Sequence, residues 1–559
     1  MPTEIKPAWW KEMSVYQIWP RSFADGNNDG IGDLRGVLEK LDYIKALGVD
    51  AIWFSPLYPS PNCDYGYDCA DYRDIHPDYG DLGLFKQVLD GAHARGMKVI
   101  MDLVINHTSD QHEWFKLSKE QPESQYHNYY IWRKGKGKKP PNNWLSVFEG
   151  KAWEYDANLD EYYMHIFAKG QPDLNMANPQ VRQEVKDILR FWLDMGVDGF
   201  REDVITYIAK REGLPNGFPL PIGTGVEHYT SLPAVKDYLR EFKEVLDEYG
   251  AFTVGEAPMM TTKLAKEYIT DEAGNLLNLM FHFQHMEADC FLTDWVGLPF
   301  RLKKLKKAFS AWQREMFGVG WNALYLENHD HPRIIDRYGS LKYREASAKM
   351  LAAMYILQSG TPFVYQGQEI GMTNIELDSL DKFKDVVTFN NFKLVQKLLR
   401  MDEARFLRIA NRRSRENGRT PIQWSGAPNA GFSEAEPWFS VNPNYTEINV
   451  EAAEADPNSI LHWYRALLKF RKESPLAIYG SYQEHYKSSR SLYVYSRAHE
   501  GERLLVICAF GEKPQQFCAP RGFDLTQAEQ IFGNYAKPAV QSNSFVTKPW
   551  ECRVYAFKD

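Results

Sequence analysis

Short apolar runs alternate with longer amphipathic segments along most of the chain. Val15 to Trp19, Ala51 to Phe54, Lys98 to Ile105, Gly199 to Asp203, Phe252 to Glu256, Leu279 to Phe283, Ala323 to Leu326 and Pro362 to Tyr365 read as eight buried strands. Leu34 to Leu47, Leu84 to Arg95, Gln180 to Met195 and Pro233 to Tyr249 carry the spacing of helices with one apolar face. Strands alternating with helices predict an α/β protein with a parallel sheet. Eight such units predict closure into a (β/α)8 TIM barrel; an open doubly wound sheet is the structural alternative.

Two stretches break the alternation and set the expected domains. Residues 1–106 form the first part of the barrel, and 107–175, rich in Trp, Tyr, Asn, Gly and Lys, are too long for a plain loop after strand 3, so they predict a small inserted domain. Residues 176–477 complete the barrel, with an excursion at about 367–455 before a helix beginning near Ser459. From 478 to 559, short alternating runs such as Ser491 to Ser496, Arg503 to Phe510 and Cys552 to Phe557 predict a C-terminal antiparallel β domain.

Composition narrows the function by exclusion. A net charge of -8 over 559 residues gives no footprint for nucleic acid or an anionic membrane. The first residues lack the apolar core of a signal peptide, and no apolar stretch reaches the length of a membrane span. Cys63, Cys69, Cys290, Cys508, Cys518 and Cys552 show no CxxC spacing and predict no disulfide framework, which makes a reducing cytoplasm the expected compartment. No loop for an organic cofactor is evident. The expected state is a monomer or weak homo-oligomer.

The chemistry lies in acids at strand ends. Asp203 closes Gly199-Phe200-Arg201-Glu202-Asp203, Glu256 closes Thr253-Val254-Gly255-Glu256, and Asp330 follows Asn328-His329 just past the seventh run. Carboxylates at the C-terminal ends of successive strands suit the rim where barrel active sites are built. Paired carboxylates beside an arginine and histidines suit glycosidic bond cleavage. Separately, Asp25, Asn27, Asp29 and Asp33 alternate along a glycine-rich loop and, with the Ile31 carbonyl, could wrap a hard cation such as Ca²⁺ or Mg²⁺. The plain alternative is a turn with solvated acids.

Asp102-Leu103-Val104-Ile105-Asn106-His107, Gly199 to Asp203, Glu256 after Val254-Gly255, and Asn328-His329-Asp330 resemble, in order and spacing, the four motifs of the α-amylase family, glycoside hydrolase family 13. The resemblance spans nearly the whole chain. Gln171-Pro172-Asp173-Leu174-Asn175, Tyr365 to Met372 and Arg419-Thr420-Pro421-Ile422-Gln423-Trp424 resemble its oligo-1,6-glucosidase and α-glucosidase branch. That branch removes single glucose units from short α-glucosides.

The resemblance implies a role for each residue. Asp203 is the expected nucleophile, kept ionised by Arg201 on the same strand face. Glu256 is the expected general acid and then base, and Asp330 the stabiliser of the transition state. His107 and His329 are expected to hold the glucose hydroxyls, with Asp64 and Tyr67 as clamp and platform and Arg419 paired to the Asp64 clamp. Phe148, Phe167 and Gln171 match pocket-lining positions. The resemblance also favours the cation in the Asp25–Asp33 loop. Val204, directly after the nucleophile, goes with α-1,6 preference in this branch, so isomaltose and short isomalto-oligosaccharides are the expected substrates. An α-1,4-glucosidase or a sucrose-active glucosidase or transglucosidase is the alternative, with sucrose isomerase and trehalose-6-phosphate hydrolase behind. Met176 after Leu174-Asn175, the Cys63-Asp64-Tyr65 turn, Glu202, Glu327 and His331 depart from the usual pattern.

Overall fold

The computed structural model describes residues 5–148, 150–291, 293–536 and 542–558. Eight parallel strands form one sheet: β1 (Val15–Ile18), β2 (Ala51–Phe54), β3 (Lys98–Leu103), β4 (Gly199–Glu202), β5 (Phe252–Glu256), β6 (Leu279–Phe281), β7 (Ala323–Leu324) and β8 (Thr361–Tyr365). They are hydrogen-bonded in the order β7-β8-β1-β2-β3-β4-β5-β6. The two end strands meet across a seam. Phe281 packs edge-on against Tyr325 and Phe363, with ring centroids 5.3 and 4.7 Å apart, and the Tyr325 hydroxyl donates to the His282 carbonyl at 2.9 Å. The sheet is therefore a nearly closed barrel. Its strands are buried almost throughout, which is why they read as continuous apolar runs.

Most strands stop short of the apolar runs that announced them. β4 ends at Glu202 and β7 at Leu324, so Asp203 and Asp330 lie just past the ladder, on the loops at the C-terminal rim. The flanking helices start and stop where local chemistry dictates. Asp81 accepts from the Leu84 N–H at 2.7 Å at the head of helix Leu82–Ala94, a cap worth about 1 kcal/mol. Helix Pro179–Met195 opens on Asn178 and Pro179 and ends at Gly196, which takes φ 109°. The single helix expected over Leu34 to Leu47 is two, Leu34–Glu39 and Leu41–Leu47. Lys40 bonds to the Val37 carbonyl three residues back, tightening the turn and breaking the α-helical ladder.

Between β3 and β4 the chain builds an antiparallel sheet in which Glu161–Met164 lies between Trp132–Arg133 and Trp153–Asp156. Its apolar cluster, including Ile131, Trp144, Trp153 and Ile166, takes in Val204 and Tyr207 from just beyond β4. The insertion thus packs directly on the loop that follows Asp203. After β8, helices Val386–Leu399 and Glu403–Arg413 and a 3-10 turn, Arg415–Arg419, bring further charged side chains to the rim. The helix expected near Ser459 runs Ile460–Glu473, with Ser459 as its cap.

The C-terminal sheet is antiparallel, in the order Ser481–His485, Leu492–His499, Glu502–Ala509, Cys552–Lys558, Glu529–Gly533. Part of this expected domain, residues 537–541, lies outside the described residues. Buried Arg497 ties the sheet to the barrel by donating to the Leu357, Ala477 and Gly480 carbonyls. All six cysteines are free thiols, including Cys508 and Cys552, which face each other across the sheet. Among the described residues no helix is long and apolar enough to cross a membrane.

Candidate active site

One guanidinium organises the acids at the ends of β3, β4 and β5. Arg201 is 2% exposed; its Nη1 lies 2.7 Å from both Asp102 Oδ1 and Asp203 Oδ1, and its Nη2 donates to Glu256 Oε2. One positive charge therefore faces three carboxylates. Burial pushes Asp203 well above the usual carboxylate range; Arg201 opposes this, while Glu256 and Asp102 add to it. Burial likewise raises Asp102 to about 6 against the pull of Arg201. Arg201 thus favours the ionised form of Asp203, while burial and the neighbouring acids oppose it. One cation is thus shared among Asp102, Asp203 and Glu256.

Asp330 has the opposite surroundings. Arg415 Nη1 and Arg419 Nη2 sit 3.1 and 3.0 Å from its Oδ1, and His329 Nε2 lies 2.9 Å from its Oδ2. Burial works against the charge, but His329, Arg415 and Arg419 hold Asp330 well below the usual range. Burial lowers His329 to about 4, so the imidazole is neutral near pH 7. The Gln17 amide reaches its Nδ1 at 2.8 Å, which leaves Nε2–H to donate to Asp330. The charge on this side is thus supplied by the two arginines.

The arginine that pairs with Asp64 is Arg415, not Arg419 as expected. Arg415 Nη2 lies 2.6 Å from Asp64 Oδ1, whereas Arg419 reaches Asp330, Asp385 and the His329 carbonyl. The reason lies in the 3-10 turn that carries both: Arg415 spans Asp64, Asp330 and Asp385, while Arg419 is buried over Trp19, 4.4 Å from the ring centroid. Sequence reasoning missed Arg415, Asp385 and Asp102; the available signal was the pair of arginines four residues apart before Thr420-Pro421.

A cavity of about 270 Å³ opens above this network, at the small end for ligand pockets. Asp64, Tyr67, His107, Phe148, Phe167, Asp203, Val204, Glu256 and Asp330, all named from the sequence, line it. Val147, Tyr207, Pro258, Trp295, Val387, Arg413 and Arg415 complete the wall and were not foreseen. Four residues named from the sequence stand behind the wall: Arg201, His329, Arg419 and Gln171 do not line the cavity. The Gln171 amide lies 3.2 Å from Asp64 Oδ2 and 3.1 Å from His107 Nε2, so it positions two wall residues. His107, lowered by burial to about 4, is set from below by Asn106, which also accepts from buried Lys210 at 2.8 Å; Lys210 in turn pairs with Asp173 at 2.7 Å.

Val204 holds a left-handed backbone, φ 34° and ψ 40°, rare for a β-branched residue, and its N–H points at Glu256 Oε2, 3.4 Å away. Glu202, on the other side of the strand from Arg201, is buried, has an oxygen without a partner, and is pushed up by burial to about 8. In the Asp25–Asp33 loop, Asp25 accepts from the N–H groups of Asn27, Asn28 and Gly30, Asp29 from Ile31, and Asp33 caps the following helix through Gly36. Burial raises Asp33, with smaller contributions from the Asp25 and Asp29 charges. Among the described residues no three His, Cys, Asp or Glu side chains stand together in ligand geometry, so a cation there would also need the Asn27 and Ile31 oxygens.

A β/α barrel whose C-terminal rim gathers three carboxylates, two of them on one arginine, in a small cavity belongs to the class of glycoside hydrolases. The chain belongs to the α-amylase family: the catalytic domain of α-amylase matches residues 17–480. It is 46% identical to the oligo-1,6-glucosidase of Parageobacillus thermoglucosidasius over 99% of this chain and 100% of that protein. Among solved structures it resembles the trehalose-6-phosphate hydrolase of Bacillus licheniformis, with TM-score 0.93, 42% identity, and 99% and 100% of the two chains covered. It also resembles the isomaltulose synthase of Klebsiella sp. LX3, with TM-score 0.95, 40% identity, and 98% and 99% covered. The protein is thus an enzyme of glycoside hydrolase family 13.

Proposed function

We propose that this enzyme is a retaining, exo-acting α-glucosidase that releases glucose from the non-reducing ends of short α-glucosides and prefers α-1,6 linkages. The observation that carries the reading is the meeting of Asp203 and Glu256 on one guanidinium in a small cavity whose Asp64 is sealed by Arg415. The double displacement needs one carboxylate to attack and one carboxyl group to give a proton, and these two acids stand side by side on Arg201. Asp203 attacks the anomeric carbon while Glu256 gives its proton to the departing oxygen. Glu256, now ionised, takes a proton from water as that water displaces Asp203. Two inversions return the α anomer. Asp330, fixed by two arginines, stays ionised beside the developing positive charge on the sugar.

The sealed Asp64 end favours a terminal glucose, and Val204 in the wall supports α-1,6 preference, as do the relatives named oligo-1,6-glucosidases. Four acids and two arginines line the cavity, and Arg413 is already paired with Asp289 at 2.7 Å. That balance disfavours a phosphorylated sugar and so weighs against a trehalose-6-phosphate hydrolase. The test is glucose release from isomaltose, maltose, sucrose, trehalose and trehalose 6-phosphate at equal concentration. Fastest cleavage of isomaltose is expected; fastest cleavage of the phosphorylated sugar would overturn the reading.

We further propose one structural Ca²⁺ or Mg²⁺ held by Asp25, Asn27, Asp29, Asp33 and the Ile31 carbonyl. The alternation of oxygen-bearing residues along one glycine-rich loop supports it, and a cation would offset the repulsion that Asp25 and Asp29 exert on Asp33. Asp25 Oδ1 and Asp33 Oδ1 each accept two N–H groups, so the metal would take the other oxygens, Asp25 Oδ2, Asp33 Oδ2 and those of Asp29. The cation would brace the first βα loop and take no part in the chemistry. Six free thiols support the proposal of a reducing cytoplasm.

A further inference from the structure

We propose that Trp295 is the wall against which the sugar ring beyond the scissile bond lies, so that it determines how well a second sugar is held as leaving group or acceptor. The inference rests on the α-glucosidase reading above. Trp295 lines the catalytic cavity together with Asp203, Glu256 and Asp330. Where Asp64 and Arg415 seal the cavity with charge, Trp295, Pro258 and Val387 give it an apolar side. The C–H faces of a sugar ring pack on an aromatic face, while its hydroxyls need polar partners; a cavity with both suits two adjoining rings in different surroundings.

The indole is held in place before any ligand arrives. It sits on strand Thr293–Gly297, which pairs with Cys290–Phe291. One face stacks on Phe406, with ring centroids 5.4 Å apart and planes 11° apart. Phe406 is buried in a cluster with Phe383 and Phe439, so this support is rigid. Helix Glu403–Arg413 carries Phe406 and, seven residues on, Arg413, which lie on one helix face. Arg413 clamps the base of the hairpin: Nη1 lies 2.7 Å from Asp289 Oδ2 and Nη2 donates to the Asp289 carbonyl at 3.1 Å. It can do so because Gly297 is bare; a Cβ there would come within 2.6 Å of Arg413 Nη2. One helix thus fixes the indole from behind and its strand from below. Such pre-organisation is what a stacking wall needs, since little side-chain freedom is lost when the sugar binds.

The experiment compares Trp295→Ala, Trp295→Phe and the unaltered enzyme on isomaltose and on α-D-glucosyl fluoride, whose leaving group has no ring to stack. Trp295→Ala is expected to lower kcat/KM for isomaltose by about tenfold or more, mainly through KM, and to leave glucosyl fluoride within about twofold. Trp295→Phe is expected to restore most of the loss. Transfer of glucose to a sugar acceptor should fall relative to hydrolysis in Trp295→Ala. An equal loss on both substrates would assign Trp295 a merely structural role, and an unchanged isomaltose value would remove it from the second-ring site; either overturns the inference while leaving the α-glucosidase reading intact. Failure of the unaltered enzyme to cleave either substrate would overturn both.

Discussion

Arg201 binds Asp203 at 2.7 Å through the nitrogen that also holds Asp102, so the residue expected to attack the sugar competes for its cation. Asp203→Asn removes the attacking oxygen and one of three crowded negative charges. Turnover of isomaltose should fall by at least about 10³-fold, while the melting temperature is unchanged or rises. Kinetics and thermal unfolding of the same preparation check this. Near-normal turnover would remove Asp203 from the reaction.

Val204 sits beside Glu256 in a left-handed backbone and forms part of the cavity wall. Val204→Thr changes the shape and polarity of that wall at constant branching. The ratio of kcat/KM for isomaltose to that for maltose should fall about tenfold, the scale of one steric contact of ~1–3 kcal/mol. The two substrates assayed on one preparation give the ratio directly, and a constant ratio would place linkage choice elsewhere.

Glu202 gives a pH dependence with a definite sign. Its folded value, about 8, lies above the ordinary 4.5. The neutral carboxyl's contribution is fully present below 4.5 and is lost as pH rises through 8, because the unfolded chain ionises first. Glu202→Met should therefore stabilise the enzyme at pH 8, on the order of 1–3 kcal/mol, and less at pH 5. Denaturant unfolding at both pH values measures the difference; an equal effect would show that Glu202 carries no titration of this kind.

The Asp25–Asp33 loop predicts a metal-dependent stability without a metal-dependent reaction. A chelator should lower the melting temperature, added Ca²⁺ should restore it, and Asp29→Asn should abolish the response. A melting curve indifferent to chelator and Ca²⁺ would leave the loop as a hydrogen-bonded turn.

How much was legible follows from what carries each signal. The barrel could be read because both faces of its strands are buried, so eight apolar runs stand out from amphipathic helices. Asp203, Glu256 and Asp330 could be read because each follows such a run. Asp102 ends a strand too, yet nothing local shows that it shares Arg201 with Asp203; that sharing is a tertiary fact. Arg415 was hidden because two arginines one turn apart are equivalent until the fold decides which spans Asp64. Trp295 lies in a hairpin after β6, with no periodic pattern to set it apart from other aromatics. The break at Lys40 was missed because the apolar spacing continues across it.

The central claim is that Asp203 attacks the anomeric carbon while Glu256, on the same guanidinium, protonates the leaving oxygen and then deprotonates the water that displaces Asp203. NMR of isomaltose hydrolysis, followed faster than the released sugar mutarotates, tests it most directly. The account predicts that the glucose released from the non-reducing end appears first as the α anomer, with the β signal growing only by mutarotation. Initial release of β-glucose would mean a single displacement by water and would contradict the assignment of Asp203 as nucleophile.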